Sequence, residues 1–482
     1  MIKRNKFFSF SNWKFVVSLV GAVLAMASVV FFATTDEFKY GTGTQQNPYK
    51  IYTVDDFDRA LQKENAYIKL MRNIDFTAAQ TISSFSSHFN LNGRTITTNK
   101  PIFNHVNQNA VIKNGNIKVN YDSIVSTSNF GFVAQENFGI IKHIDLFITN
   151  INITFDSENT HFGLLVGENN NIVKDVKISS LNKALNEITF SSLNIESTHF
   201  IGGIVGFNSG RVEDGKNFVN LTAVNQDVGG ICGFNDQNGL IKNCINKANL
   251  SVTNERLNWV LMAGGISYES KGIIYKSKNF GLITAHSTNS RVWAGGIVGH
   301  LLSNALVDGT INKGNVNLTG LDTISGGGIV GQAQTNTLVK FSINDGDIKS
   351  HSQTASAYAG GISGFGFGYI ENCLSFENTI IAITEQNPNN YISSNGGIAA
   401  TSNGNIKNSI SMAICQQAEL TGGIIGNYFS GTAEYENNYW VKQNAFMQFA
   451  AATNEDDSIA TLIEITDIYN LELYKTIINY VN

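Results

Sequence analysis

Proline is nearly missing from this chain, with three residues in 482, and only 15% of residues are charged. The low charge and the shortage of proline exclude a disordered tail. The composition also lacks the Ala, Leu, Glu and Lys bias of a soluble helical enzyme. No long run of Lys or Arg follows the first few residues and the formal net charge is −5, which leaves no electrostatic basis for nucleic-acid binding. Cysteine is sparse: Cys232, Cys244, Cys373 and Cys415 stand far apart, without a C-x-x-C pair or a Cys/His cluster at metal spacing. Neither H-E-x-x-H, nor a nucleophile elbow, nor a P-loop occurs.

What is abundant is glycine, with 45 residues, together with Asn, Ile, Ser and Thr. Ile, Val, Phe and Thr favour strands, while Gly and Asn favour the turns between them. One long apolar run exists, Phe15 to Ala33, preceded by Lys3, Arg4, Lys6 and Lys14. A basic flank before about 20 apolar residues predicts a span that leaves the rest of the chain outside the cytoplasm. Ala25-Met26-Ala27 also fits a signal-peptide cleavage site, so residues 1–35 read as a basic flank with either an anchor or a cleavable signal.

Self-similarity organises the remainder. GFVAQ at Gly131 and GLLVG at Gly163 are followed by GGIVG at Gly202, GGICG at Gly229, GGISY at Gly264 and GGIVG at Gly295. GGIVG at Gly327, GGISG at Gly360, GGIAA at Gly396 and GGIIG at Gly422 complete the series. Each copy continues through a Gly/Asn turn, an alternating segment such as LIKNCIN, a second turn and a third short segment such as NVNLTG. Three short strands per period, each too short to bury its own apolar face, predict stacked coils: an all-β, right-handed parallel β-helix over residues 66–440. The third motif position (Ile204, Ile231, Ile266, Ile297, Ile329, Ile362, Ile398, Ile424) reads as an internal column. Cys244 in IKNCIN and Cys373 in IENCLS fall at one repeat position and read as buried thiols. Residues 36–65 form a linker and N-terminal cap, with a short helix expected after Thr53. Residues 441–482 are expected to close the C-terminal end and cover its strand edge.

The GG-I-V-G copies, with GTGTQQNPYKIYTVDDFDRAL from Gly41, RNIDF at Arg72 and NNYW ending at Trp440, resemble the GLUG-repeat proteins of bacterial surfaces, found in adhesin-like and IgA-protease-like exported proteins. The resemblance implies an exported bacterial β-helix at the cell envelope. It brings no catalytic residue set with it.

Candidate chemistry is thin. Gly326, Gly328 and Gly331 spell G-x-G-x-x-G, but inside a repeat copy rather than between a strand and a helix. The carboxylate groups Asp55/Asp56/Asp58, Asp345/Asp347 and Glu455/Asp456/Asp457 do not recur at equivalent positions of neighbouring coils, as a face-mounted acid/base pair would. His161, His199 and His300 read as scattered. Two residues before the double glycine stand Phe200, Asp227, Met262, Trp293, Ser325, Tyr358 and Leu420, which alternation counted from the internal Ile places inside the core; facing outward, Met262, Trp293 and Tyr358 would instead form an apolar ridge suited to stacking on sugar rings. The sequence thus assigns no catalytic, cofactor-binding or metal-ligating residue and no cofactor. It points to a non-enzymatic adhesin or envelope scaffold with glycans or host and cell-surface proteins as partners and the membrane reached through the N-terminal segment. A polysaccharide-cleaving lyase or hydrolase is the alternative.

Overall fold

The computed structural model describes residues 40–481, apart from 120–122, 150, 157–159, 182–186, 193–198, 386–390, 417 and 429–432. The basic flank and the apolar run at the N-terminus lie outside the described residues. Among the described residues no helix is long and apolar enough to cross a membrane.

The fold is an all-β parallel solenoid of about ten turns. Each full turn contributes to three parallel sheets in the order glycine sheet, asparagine sheet, third sheet. One turn runs Arg291–Gly295 and Val298–Leu301, then Leu306–Asp308 and Ile311–Asn312, then Val316–Gly320. Successive turns pair in strict register: Gly202, Gly229, Gly264, Gly295, Gly327, Gly360, Gly396 and Gly422 lie over one another. Leu250, Ile283, Val316, Ile348 and Ile380 do the same in the third sheet. The internal column expected at the third motif position is present, with all eight Ile side chains fully buried.

The two motif glycines do different work. The first folds back on its own strand: a Cβ on Gly264, Gly295 or Gly327 would stand 1.9, 2.1 and 1.9 Å from the carbonyl oxygen three residues on. The second makes room for a side chain. A Cβ on Gly265, Gly296 or Gly328 would lie 2.4, 2.2 and 2.2 Å from Cγ of Asn279, Asn312 or Asn344. Those asparagines are fully buried and stacked. Asn246 Nδ2 donates to Asn279 Oδ1 at 2.9 Å, Asn279 to Asn312 at 2.9 Å, and Asn312 to Asn344 at 2.8 Å. Each also closes its own turn: Asn279 Nδ2 donates to the Gly281 carbonyl at 3.0 Å, and its Oδ1 accepts the Gly281 N–H at 3.2 Å. A second ladder, Asn137, Asn169, Asn208 and Asn235, repeats the arrangement at 2.8 Å per step. Burying an amide this deeply is tolerated because its donors and acceptor are satisfied.

Another repeated feature is a kink inside the asparagine sheet, where one residue per turn takes a left-handed conformation. Asn114, Asn243, Asn372, Asn408 and Asn437 (φ 62°, 54°, 53°, 50° and 53°) occupy it in five turns, and Asp214, Lys276, Gly309 and Phe341 in others. Asparagine and glycine suit this conformation; Phe341 tolerates it while stacked on Tyr480, ring centroids 4.1 Å apart.

Helix α1, Val54–Leu61, begins at a capping box in which the Thr53 side chain accepts the Asp56 N–H and the Asp56 carboxylate accepts the Thr53 N–H. Its Phe57 packs edge-on against Phe76 and Phe89, both at 5.4 Å. The C-terminal residues follow expectation only as far as residue 462. Phe449–Ala451 and Thr461–Leu462 add strands to the last turn. Helices α2 (Ile465–Ile468) and α3 (Glu472–Val481) then turn back along the outside of the asparagine sheet instead of covering its end. The reason is apolar: in those turns the outward positions Ile311, Ile343, Leu374 and Ile410 form a second hydrophobic cluster with Ile468, Ile477 and Val481. The mixed helical spacing of residues 460–482 showed an amphipathic segment but not the face it covers. All four cysteines are free and buried, and burial pushes Cys244, Cys373 and Cys415 up to about 12.

Asn279→Ala removes one ladder bond from each of Asn246 and Asn312 and opens the Gly281 turn. It should lower unfolding free energy by about 2–4 kcal/mol in urea; a change below about 0.5 kcal/mol would show that the ladder does not hold the turns together.

Candidate functional site

The residues two before the double glycine face outward, not into the core. Val292, Ala294 and Ile297 are fully buried while Trp293 is partly exposed, and the same holds for Leu261, Ala263 and Ile266 around Met262. Alternation counted back from Ile297 fails because the Gly-Gly bend lies between and shifts the pleat by one residue.

The outer glycine face therefore carries two columns, one on each side of the bend. The first holds His161, Phe200, Asp227, Met262, Trp293, Ser325, Tyr358, Ser394 and Leu420. The second holds Glu168, Phe207, Phe234, Glu269, His300, Gln332 and Phe365. Because the bend is concave outward, side chains seven residues apart meet across it. Trp293 and His300 ring centroids are 4.9 Å apart, Tyr358 and Phe365 5.3 Å, and His161 Nδ1 lies 3.1 Å from Glu168 Oε2. Along the axis, Phe200 stacks on His161 at 5.1 Å and on Phe234 at 5.2 Å, and Phe207 stacks on Phe234 at 5.7 Å. These stacked rings cover each other's faces. Trp293 and Tyr358 stand in register on either side of Ser325 instead, without an aromatic neighbour in their own column.

A polar cluster interrupts the aromatic strip where GGISY replaces GGIVG. Tyr268 occupies the position that is glycine in the neighbouring turns, and its ring fills the floor of the concavity, 6.3 Å from Phe200. Beside it Asp227 is 6% exposed and accepts the Met262 N–H at 2.7 Å. Burial, reinforced by the charge of Glu269 and opposed by the Met262 hydrogen bond and Arg256, raises the Asp227 carboxyl to about 7. Glu269 meets His300 Nδ1 at 2.9 Å, and His300 Nε2 lies 3.3 Å from Gln334 Nε2. At the next corner His199 contacts Thr160 Oγ1 at 2.7 Å and stacks on Phe155 at 4.2 Å; burial and the Arg256 charge depress it to about 4.

His161 and His300, read as scattered, thus share one face. A signal was available: a carboxylate paired with a histidine 31 or 32 residues away, one turn apart, recurs as His105–Glu136, His143–Asp175 and Glu269–His300. The other singled-out groups are structural. Asp345 pairs with Lys313 at 3.0 Å, and Asp347 accepts the Thr379 N–H at 2.8 Å. Asp456 binds Ser458 and Tyr428, and Asp457 the Ala450 N–H. Asp55 and Asp58 belong to helix α1. After Gly326 and Gly328 comes the strand Val330–Ala333, not a helix, so no phosphate cradle forms. Among the described residues no group of three or more His, Cys, Asp or Glu is placed to hold a metal ion.

The carboxyl shift has a definite sign. Protonated Asp227 favours the fold fully below its ordinary value near 3.8, and that contribution is lost as pH rises towards and through about 7. His199 acts oppositely, stabilising above 6.5 and losing its contribution as pH falls towards 4. Asp227→Asn, which keeps the acceptor for Met262, should raise the melting temperature relative to the parent increasingly from pH 5 to pH 8. Superimposable profiles would contradict the burial of an ionisable Asp227.

No protein-family model matches the chain, and no curated protein matches it. Among solved structures, the chain is similar to a crystal structure from Bacteroides ovatus described as a candidate immunoglobulin A1 protease. The identity is 17%, over 64% of this chain and 79% of that one, with a TM-score of 0.32.

Proposed function

We propose that the protein is an exported, right-handed β-helix of the bacterial envelope, started by helix α1, that works as a non-enzymatic adhesin or scaffold through its glycine face. Export rests on the basic flank and apolar run of residues 3–33. The observation that carries the binding role is the outward strip of Met262, Trp293 and Tyr358 with the polar Asp227, Glu269 and His300 beside it. Aromatic and apolar side chains held partly exposed in a row, with hydrogen-bonding groups between them, suit contact with a glycan or with another protein surface. Solvating such groups singly would be cheaper; holding them in line by register is a property of the repeat.

A second reading, a polysaccharide-cleaving enzyme, gains one specific observation. Asp227 and Glu269 sit on the same face in different environments, one carboxyl raised by burial and the other paired with His300. That difference is the kind that separates a general acid from a base. Asp345 and Asp347, both committed to structural contacts, do not offer it.

The full-length protein would be titrated on immobilised neutral and uronic-acid polysaccharides, with released reducing ends assayed in parallel. Saturable binding weakened about tenfold or more by Trp293→Ala, without new reducing ends, is the expected result. Turnover abolished by Asp227→Asn or Glu269→Gln would replace the scaffold reading with the enzyme. Binding indifferent to Trp293→Ala would remove the glycine face from the function.

A further inference from the structure

The third sheet has two ends, and they are finished differently. At its C-terminal end lies Ile414–Gln416. There Asn444 Nδ2 donates to the Cys415 carbonyl at 2.8 Å and Gln443 Nε2 to the Met412 carbonyl at 3.2 Å, so side-chain amides stand where a further strand would. At its N-terminal end lies Ser123–Ser126, which among the described residues pairs only with Ile151–Phe155. The turn before it does not supply a third-sheet strand. It crosses from Thr95–Thr98 to Phe103–Val106 through residues 99–102 alone. Ser123–Ser126 therefore overhangs, and beneath it is a cavity of about 510 Å³ between Asn99, Lys100 and Pro101 on one side and Ile124, Ser126 and Phe130 on the other.

The overhanging edge has a readable polarity. In a parallel ladder alternate residues direct both backbone groups to the same neighbour. The Ser126 carbonyl accepts the Asp156 N–H, so Ile124 and Ser126 serve the following turn while Ser123 and Val125 direct their groups to the open side. Val125 is also 63% exposed. An edge left in this state is ordinarily covered, charged or bulged. The cavity lining holds no carboxylate, and its one cation, Lys100, donates to the Thr77 carbonyl at 2.9 Å. The asparagine and glycine sheets continue on both sides of the recess, which admits one extended chain and bars the edge of a second solenoid.

We propose that this recess is a peptide-docking site, in which an extended segment of another protein adds to Ser123–Ser126 as a strand. The segment alternates: apolar side chains enter beside Ile124, Pro101 and Phe130, and uncharged hydroxyl or amide side chains lie outward beside Ser123 and Val125. The site is separate from the glycine face and stands whether or not that face binds glycans.

The test uses the full-length chain and, as probe, a peptide carrying the sequence of Ile151–Phe155, the strand that already pairs with Ser123–Ser126 from the other side. Amide exchange of residues 123–126 is followed with and without peptide, and affinity by fluorescence anisotropy. Slowed exchange at Ser123 and Val125 is expected. Val125→Pro removes an N–H that makes no ladder bond among the described residues and should weaken binding about tenfold without changing the melting temperature. Val125→Thr should bind as the parent does. Equal affinity of the Val125→Pro protein, or protection confined to other residues, would overturn the proposal. So would protection of the same amides before any peptide is added, since residues of this chain itself would then occupy the edge.

Discussion

The missing Cβ of the second motif glycine is the constraint on which the rest of the solenoid depends. Any side chain at Gly265, Gly296 or Gly328 would collide with the asparagine amide that closes the opposite corner of the same turn. The glycine and the asparagine are 14 to 16 residues apart in sequence and jointly occupy one volume. Because the amide fits there, it can bond simultaneously to its own turn and to the amides above and below, which ties local turn geometry to long-range register. Where the glycine persists but the asparagine does not, Ser375, Ser411 and Trp440 take the space. The array then ends in the last turns, as the amide ladder runs out.

The same register turns a local sequence choice into a surface. A residue at one outward position is a single exposed side chain; at the equivalent position of several turns it becomes a column about 4.8 Å per step. On the glycine face this yields stacked rings from His161 to Phe234, then the buried polar group around Tyr268 and Asp227, then Trp293 and Tyr358. On the asparagine face, Ile311, Ile343, Leu374 and Ile410 make an apolar column that the C-terminal helices cover. An exposed apolar column is costly, and the chain uses its last residues to bury this one.

The fold was legible because its signals repeat: the double glycine, the Ile column and the Cys244/Cys373 equivalence all follow from a period of about 32 residues. The face of Trp293 was not legible, because alternation assumes a continuous pleat and the Gly-Gly bend breaks it. The destination of α3 was equally hidden, since an amphipathic pattern names a buried stripe without naming its partner. The pairing of Glu269 with His300 was present in the spacing but visible only once the sequence is read one turn at a time. Asp227 could not be recognised as buried while its position was read in common with Met262 and Trp293, because groups beside it, Tyr268 and Glu269 of the following turn, lie outside that column.

The central claim is that the turns are interchangeable units held in register by the amide ladders, so the most direct measurement is to excise one. Deleting residues 265–295 joins Gly264 to Gly296 and brings Asn246 under Asn312. This should leave a cooperatively unfolding protein, shortened by one turn and with its β-sheet circular dichroism retained. Deleting residues 265–280, a fraction of a turn, should abolish unfolding as one cooperative unit, since the glycines and asparagines after the cut would fall out of line with those before it. Equal stability of the two deletions would contradict the account.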